Sequence, residues 1–402
     1  MLQDTGDHAV EHDPAVPAVP VLLTPGPLTT AAATKQAMMR DWGSWDDDFR
    51  AMTASVRRAL LAIAHADAAF DCVPLQGSGS YCVEAMLGSL VPRDGKALVL
   101  ANGAYGQRIA TTLRYLRRDH AVHDTGDYLP PTGGAVAARL DADPAITHVV
   151  AVHCETSSGI LNPLAEIADA TARRGRKLLI DAMSTFGAVP LDLRTLHCEA
   201  FVSSANKCLE GVPGFGFVLA RKTTLHAAAG QSHSLSLDLH DQWRVMNRTG
   251  QWRFTPPTHA VAAFLTALEL HAREGGQAGR LARYARNRDV LVASMREAGF
   301  ETLLVDRWLS PIVVTFFSPA DRAFDFPRFY DLMKQRGFVI YPGKLTVVDS
   351  FRIACIGQVD ASVMRRAAAA ARDALAALGV TSAAPSAAAL RQRCVLDGGD
   401  AG

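Results

Sequence analysis

The chain has 402 residues, 49% hydrophobic and 20% charged, with a formal net charge of +1. That is room for two well-buried domains of ordinary globular composition, and the near-neutral balance excludes a bulk field that would gather nucleic acid or an anionic membrane. No apolar run approaches the ~20 residues of a membrane span, and the seven cysteines (Cys72, Cys82, Cys154, Cys198, Cys208, Cys355, Cys394) include no C-x-x-C pair, which points to a reduced, cytoplasmic protein with neither a disulfide framework nor a metal site.

Residues 1–20, "MLQDTGDHAVEHDPAVPAVP", are acidic and proline-spaced and lack a basic leader; they read as a flexible arm, not a secretory signal. From 21 to about 285, short apolar runs alternate with helical patterns. "VPLQ" leads through Gly-Ser-Gly-Ser into "YCVEAMLGSLV", "KALVLAN" into "GQRIATTLRYLRRD", and "THVVAVHCE" into "NPLAEIADATARRGR". "KLLIDAMS", "AFVSSAN" and "GFVLARK" follow, then a helical "THAVAAFLTALELHAREGG" closed by a glycine pair. Runs rich in Val, Ile and Leu on both faces predict strands of a mostly parallel sheet covered by helices on either side, an α/β architecture. Residues 286–378, with "PIVVTFFSP", "FVIYPG" and "SFRIACIG", predict a smaller C-terminal α/β domain; 379–402 is an Ala-rich tail with at most a turn of helix.

An α/β sheet binds its ligand at the carboxyl ends of its strands. Ser78, Gly79 and Ser80 stand there at the start of a helix, where backbone N–H groups and small hydroxyls can seat a phosphate. A plain capped turn satisfies the same residues. Cys82 occupies the third-glycine position of a dinucleotide fingerprint, and no Walker lysine follows. Tyr105, Glu155 and Thr156 follow other strands. Asp181 ends an apolar run, where a carboxylate is either a strand-end cap or an acid that holds a pyridinium nitrogen. Lys207 ends "AFVSSAN", either as a solvated cation or as a desolvated amine that forms a Schiff base. His153 and Cys154 have no spaced partners and read as packing. Taken together, an anion seat, an aromatic ring, a carboxylate and a lysine at successive strand ends match what pyridoxal 5'-phosphate requires.

The stretches "LLTPGPLTT", "LQGSGSYCVEAM", "NGAYGQR", "VHCETSSGILNP", "LIDAMSTFG", "SSANKCLEGVPGFGFV", "QWRFTPPTH" and "FRIACIG" resemble the class V branch of the fold-type I aminotransferases. Within it, they resemble the subgroup that acts on 2-aminoethylphosphonate and pyruvate. The likeness runs from about residue 20 to about 375. It implies that Lys207 forms the Schiff base, Asp181 pairs with the pyridine nitrogen and Tyr105 stacks on the ring. It implies that Ser78, Gly79 and Ser80 hold the phosphate with Asn206 nearby, and that Thr156 lies near the cofactor's 3-oxygen. Thr255 is expected to reach the cofactor of a neighbouring subunit in a homodimer with shared sites. Arg352 is expected to bind the substrate's acidic group, with Gly26 and Pro27 lining the pocket. The family's phosphate turn ends more often in Thr than in Ser80, but the hydroxyl is kept. Three rivals remain on the same scaffold: an alanine–glyoxylate or serine–pyruvate aminotransferase, an aminophosphonate lyase, and a non-catalytic binder that has no use for both Lys207 and Asp181.

Overall fold

A computed structural model describes residues 19–127, 129–344 and 348–395; most of the N-terminal arm and the last residues of the tail lie outside it. The strands in chain order are β1 (Val21–Leu22), β2 (Phe70–Gly77), β3 (Lys96–Ala101), β4 (Asp119–Asp124), β5 (Ile146–Val152), β6 (Cys154–Glu155) and β7 (Ile160–Leu161). They continue with β8 (Lys177–Asp181), β9 (Ala200–Ser204), β10 (Gly214–Arg221), β11 (Val313–Phe317), β12 (Phe338–Val339), β13 (Tyr341–Pro342) and β14 (Ser350–Ala354).

Seven strands form the large sheet, in the order β2-β10-β9-β8-β5-β3-β4. Only β10 runs antiparallel to its neighbours. The alternation of side chains explains why these runs are apolar throughout. Leu98, Leu100, Val149, Ala151, Leu178, Ile180 and Phe201 face one core. The intervening Ala97, Val99, Val150, Val152, Leu179, Ala200 and Val202 face another. Both faces are therefore covered, as a doubly wound sheet requires. Because β3, β5, β8 and β9 are parallel, their carboxyl ends share one edge. Gly77 at the end of β2 pairs with Gly214 at the start of β10 and so lies at that edge too.

A three-stranded antiparallel sheet, β11-β14-β13, carries Arg352 opposite Thr315 and Tyr341. It shares a core with Leu291, Val292 and Met295 from the helix Gly276–Glu297. That helix is continuous through residue 285, where the sequence suggested a division. The glycine pair behaves as read: Gly275 and Gly276, both at positive φ, separate it from the helix Thr258–Arg273. The chain's first strand does not join the large sheet. β1 pairs in parallel with β12, and Leu23 packs in the C-terminal core. The tail is docked and more helical than its composition suggests. Its helix Ala387–Val395 sends Arg393 to Glu301 at 3.2 Å and to the Thr302 carbonyl at 2.8 Å.

Candidate active site

Lys207 lies on the turn that follows β9. Its Nζ donates to the Pro25 carbonyl at 2.9 Å. The Thr24–Pro27 segment, delivered from the C-terminal unit by β1, thus closes over the amine. Gly26 is required there: a Cβ on it would stand 2.2 Å from Lys207 Nζ, and its φ is +132°. Burial pushes the Lys207 ammonium below its usual value, with the nearby Tyr105 and Asp181 opposing. An amine so placed is nearer its neutral, nucleophilic form than a surface lysine.

A buried ionic network holds this turn from beneath. Glu210, in left-handed backbone at φ 56°, donates its N–H to the Lys207 carbonyl at 2.8 Å. Its carboxylate accepts from Tyr284 Oη at 2.6 Å and pairs with Arg283 at 2.7 Å. Arg280, 1% exposed, donates to the Cys208 carbonyl and pairs with Glu274 at 2.7 Å. Arg283 also reaches the Gly357 carbonyl at 2.5 Å, so the lysine turn is tied to the loop after β14.

Asp181 ends β8 and is buried, with Oδ1 accepting only the Met183 N–H, at 2.9 Å. Oδ2 has no hydrogen-bond partner among the described residues. Burial raises the Asp181 carboxyl to about 6; the Met183 N–H, Lys207 and Arg108 pull it back, and Glu155 adds to the rise. Its carboxyl faces a cavity of about 260 Å³ that Ser80, Tyr105, Arg108 and Met183 also line. Ser78 caps the helix Gly79–Leu90 with extended backbone and no side-chain bond to it; the Tyr81 N–H bonds the Ser78 carbonyl at 3.0 Å, and the Gly79 and Ser80 N–H groups have no partner among the described residues. A Cβ on Gly79 would stand 2.3 Å from Met183 Sδ, so a side chain there would have to displace the end of that methionine.

Tyr105 is placed by a carboxylate that sequence reasoning left without a role. Glu155 is fully buried and accepts from the Tyr105 N–H at 3.0 Å, the Gly106 N–H at 3.1 Å and Ser157 Oγ at 2.5 Å. It thereby satisfies the first turn of the helix Ala104–Tyr115, where a negative charge is favoured. The Tyr105 hydroxyl faces Thr156 and Arg352. Burial alone raises this phenol, but Lys344, Lys207 and those two partners outweigh it and bring it below its usual value. Arg352 is buried, donates to the Pro342 carbonyl at 3.0 Å and the Thr156 carbonyl at 2.8 Å, and has no carboxylate partner among the described residues. Burial lowers it from its very high value, which leaves it charged.

The structure thus draws Lys207, Asp181, Tyr105, Thr156, Arg352, Gly26 and the Ser78–Ser80 turn to one cleft. Asn206 adjoins Lys207, with its Oδ1 accepting from Ser204 Oγ at 3.1 Å. Pro27 is exposed at the rim. Thr255 is exposed on the loop before the helix Thr258–Arg273 and takes no part in this chain's own cleft. Sequence reasoning missed Arg108, whose guanidinium lies 4.8 Å from the Tyr105 ring centroid, and Lys344, whose Nζ lies 4.5 Å from it. Arg108 follows Tyr105 by one helical turn and was findable on that ground; nothing local marks Lys344. A larger cavity of about 970 Å³ in the C-terminal unit has no lysine, arginine or histidine in its lining among the described residues.

Residues 135–319 match the model of the class V aminotransferases. The chain is 72% identical to 2-aminoethylphosphonate–pyruvate transaminase 1 of Paraburkholderia xenovorans, over 94% of this chain and 97% of that one. It is 69% identical to the 2-aminoethylphosphonate–pyruvate transaminase of Rhizobium meliloti, over 94% and 99%. Among solved structures, pyridoxamine-pyruvate aminotransferase from Mesorhizobium loti shares the fold-type I architecture, with a TM-score of 0.82 at 23% identity over 94% of this chain and 97% of that one. With identity of this order across nearly the whole length, the chain belongs to the 2-aminoethylphosphonate–pyruvate transaminase family of class V aminotransferases.

Proposed function

We propose that this chain moves the amino group of 2-aminoethylphosphonate to pyruvate, giving phosphonoacetaldehyde and alanine, with pyridoxal 5'-phosphate as cofactor. The observation that carries the reading is the meeting of Lys207 and Arg352 about Tyr105: an amine with lowered basicity and an arginine without a carboxylate partner, in one cleft.

Three features support the cofactor. The cavity beside Asp181 is of suitable size, at about 260 Å³. Asp181 keeps one carboxylate oxygen free of hydrogen bonds. The open helix end at Ser78–Ser80 suits a phosphate. When bound, pyridoxal phosphate supplies an aldehyde that links to amines and a ring that draws electrons from the attached carbon. Asp181 would hold the proton at the ring nitrogen, favoured by the same burial that raises its own basicity. Tyr105 would stack on the ring and Thr156 would lie near its 3-oxygen.

Lys207 Nζ, once displaced by the incoming amine, would carry the proton away from the substrate carbon. Pro25 O and Gly26 keep that nitrogen aimed into the cleft meanwhile. Arg352 would take the phosphonate in one half-reaction and the carboxylate in the other, since a guanidinium fork accepts either. The two substrates then alternate at one site, which is a ping-pong scheme. Thr255, exposed in this chain, would serve the second copy's cofactor in a homodimer, as the family likeness implies. The free buried cysteines suit a reducing cytoplasm. Among the described residues no helix is long and apolar enough to cross a membrane.

The test is the visible spectrum of the loaded protein as 2-aminoethylphosphonate is added without a keto acid. The band of the lysine-linked cofactor should bleach and pyruvate should restore it. A band bleached equally by serine, or left untouched by the aminophosphonate, would overturn the substrate assignment. Bleaching that pyruvate fails to reverse, with release of the phosphonate group, would favour a lyase.

A further inference from the structure

The turn after β13 delivers a second cation to the substrate side of the cleft. Tyr341 pairs with Arg352 and Pro342 with Phe351. The Gly343 N–H then bonds the Ser350 carbonyl at 2.7 Å, and a Cβ on Gly343 would stand 2.3 Å from Ser350 Oγ. The two strands are therefore held closely as far as Gly343, and the next residue, Lys344, lies across the face of Tyr105, with Nζ 4.5 Å from the ring centroid. The same Tyr105 presents its hydroxyl to Arg352. Arg352 and Lys344 thus share one aromatic side chain. Neither has a carboxylate within ion-pair distance among the described residues; Arg352 is met by carbonyl oxygens instead. The charge of Lys344 is also felt at Lys207, where it favours the neutral amine.

Arg352 at the hydroxyl and Lys344 at the ring, with Arg108 4.8 Å from the same ring, make the surroundings of Tyr105 positive, and Arg352 and Lys344 are the two cations that the small sheet brings there. A carboxylate neutralises one of them. A fully ionised phosphonate neutralises both, as a phosphate dianion does.

We propose that Lys344 is the second cation of the substrate-anion seat and that it sets the preference for a dianionic phosphonate over monoanionic groups of the same size. The proposal rests on the substrate reading given above and refines it. A lysine that merely packs its stem and charge on Tyr105 would stiffen the ring and serve every anion alike. A charge partner serves the dianion more than the monoanion, and that difference is measurable.

The experiment compares the loaded wild-type enzyme with Lys344→Met, which keeps an apolar stem, and Lys344→Arg, which keeps the charge. The readouts are kcat/KM for 2-aminoethylphosphonate and competitive inhibition by ethylphosphonate and ethanesulfonate at about pH 8.5, where the phosphonate is a dianion and the sulfonate, of the same shape, a monoanion. Lys344→Met should weaken ethylphosphonate binding and lower kcat/KM for the aminophosphonate roughly 10- to 100-fold, while ethanesulfonate binding weakens by no more than about threefold. Lys344→Arg should restore most of the phosphonate preference. Equal losses for the two inhibitors, or no loss in either, overturn the proposal while leaving the transaminase reading in place. A wild-type enzyme that fails to turn over 2-aminoethylphosphonate overturns both.

Discussion

The large-sheet side of the cleft and the small-sheet side are built differently. On the large sheet, Asp181 ends β8, Lys207 follows β9 and Glu155 follows β5. Each stands at or just beyond the carboxyl end of an inner strand of a seven-stranded sheet that is covered on both faces. On the small sheet, Arg352 stands in the middle of a five-residue strand, and Lys344 lies just beyond a two-residue one. The first side supplies groups whose mutual geometry must not change through a reaction cycle. The second supplies charge, and charge tolerates a less exact placement because its field falls off gradually. The sides share an apolar core of Cys154, Ala188, Cys208, Ile312, Val313 and Ala354, and hydrogen bonds cross it. Arg283 links Glu210 to the Gly357 carbonyl, Arg352 links β14 to the Thr156 carbonyl, and the Pro25 carbonyl meets Lys207. On the proposed reading, the chemistry is anchored in the large unit, while selection of the anion is left to the small one.

The sharpest way to break this contrast is to remove the amine. Lys207→Ala should lower turnover by about 10⁴-fold or more, because nucleophile and proton carrier are lost together. The visible band of the lysine-linked cofactor should vanish while the thermal midpoint stays near the wild-type value. A variant that kept the band would place the reactive lysine elsewhere.

Next in size is the joint between the two sides. Glu210→Ala leaves Arg280 and Arg283 with one carboxylate fewer and Tyr284 without its acceptor, all in a buried setting. Stripping one partner from such a network costs about 3–5 kcal/mol. Urea unfolding should register that loss; an unchanged midpoint would show that Glu274 alone suffices for both arginines. Arg352→Lys should follow, with about 10²-fold lower kcat/KM for both substrates, since a point charge cannot replace a two-pronged guanidinium. If only the aminophosphonate half-reaction suffered, the carboxylate would have to be bound elsewhere.

The contrast also explains what could be read in the sequence. Lys207, Asp181 and the Ser78–Ser80 turn were legible because a strand end places them: an apolar run of known period followed by a polar residue fixes where that residue must be. Tyr105 and Thr156 were legible by the same logic. The clamp on Tyr105 was half legible, since Glu155 stood visibly at a strand end but its N–H donors come from a helix some fifty residues earlier in the chain. Lys344 was not legible. Its aim depends on Gly343 lacking a side chain opposite Ser350, which is a tertiary fact. The placement of Val21–Leu23 with the C-terminal unit is of the same kind, because two-residue strands carry too little pattern to show their partner. The docked tail was masked by composition: alanines fit a helix as well as they fit a linker.

The last effect concerns acid, and it sets two buried histidines, one at each end of β5, against the buried carboxylate at the end of β8. His148 and His153 are buried, and burial pushes both imidazoles down to about 4, with Lys177 adding to the effect at His148. His148 Nε2 and His153 Nδ1 have no hydrogen-bond partner, so a protonated ring there would carry an unpaired N–H. The folded pKa lies below the unfolded value of 6.5, so between about pH 6.5 and 4 the unfolded chain binds more protons than the folded one. Stability therefore rises with pH across that window and is lost as pH falls through it. At pH 5 each histidine contributes a loss on the order of 2 kcal/mol. Asp181 at the end of β8 acts in the opposite sense. Its folded pKa of about 6 exceeds the unfolded 3.8, so lowering the pH from 7 to 5 favours the folded form by about 1 kcal/mol. The cofactor-free protein should then be about 3 kcal/mol less resistant to urea at pH 5 than at pH 7. His148→Gln, which lies away from the cleft, should remove the larger part of that difference. If the pH dependence survived the substitution unchanged, the buried imidazole would not be its source.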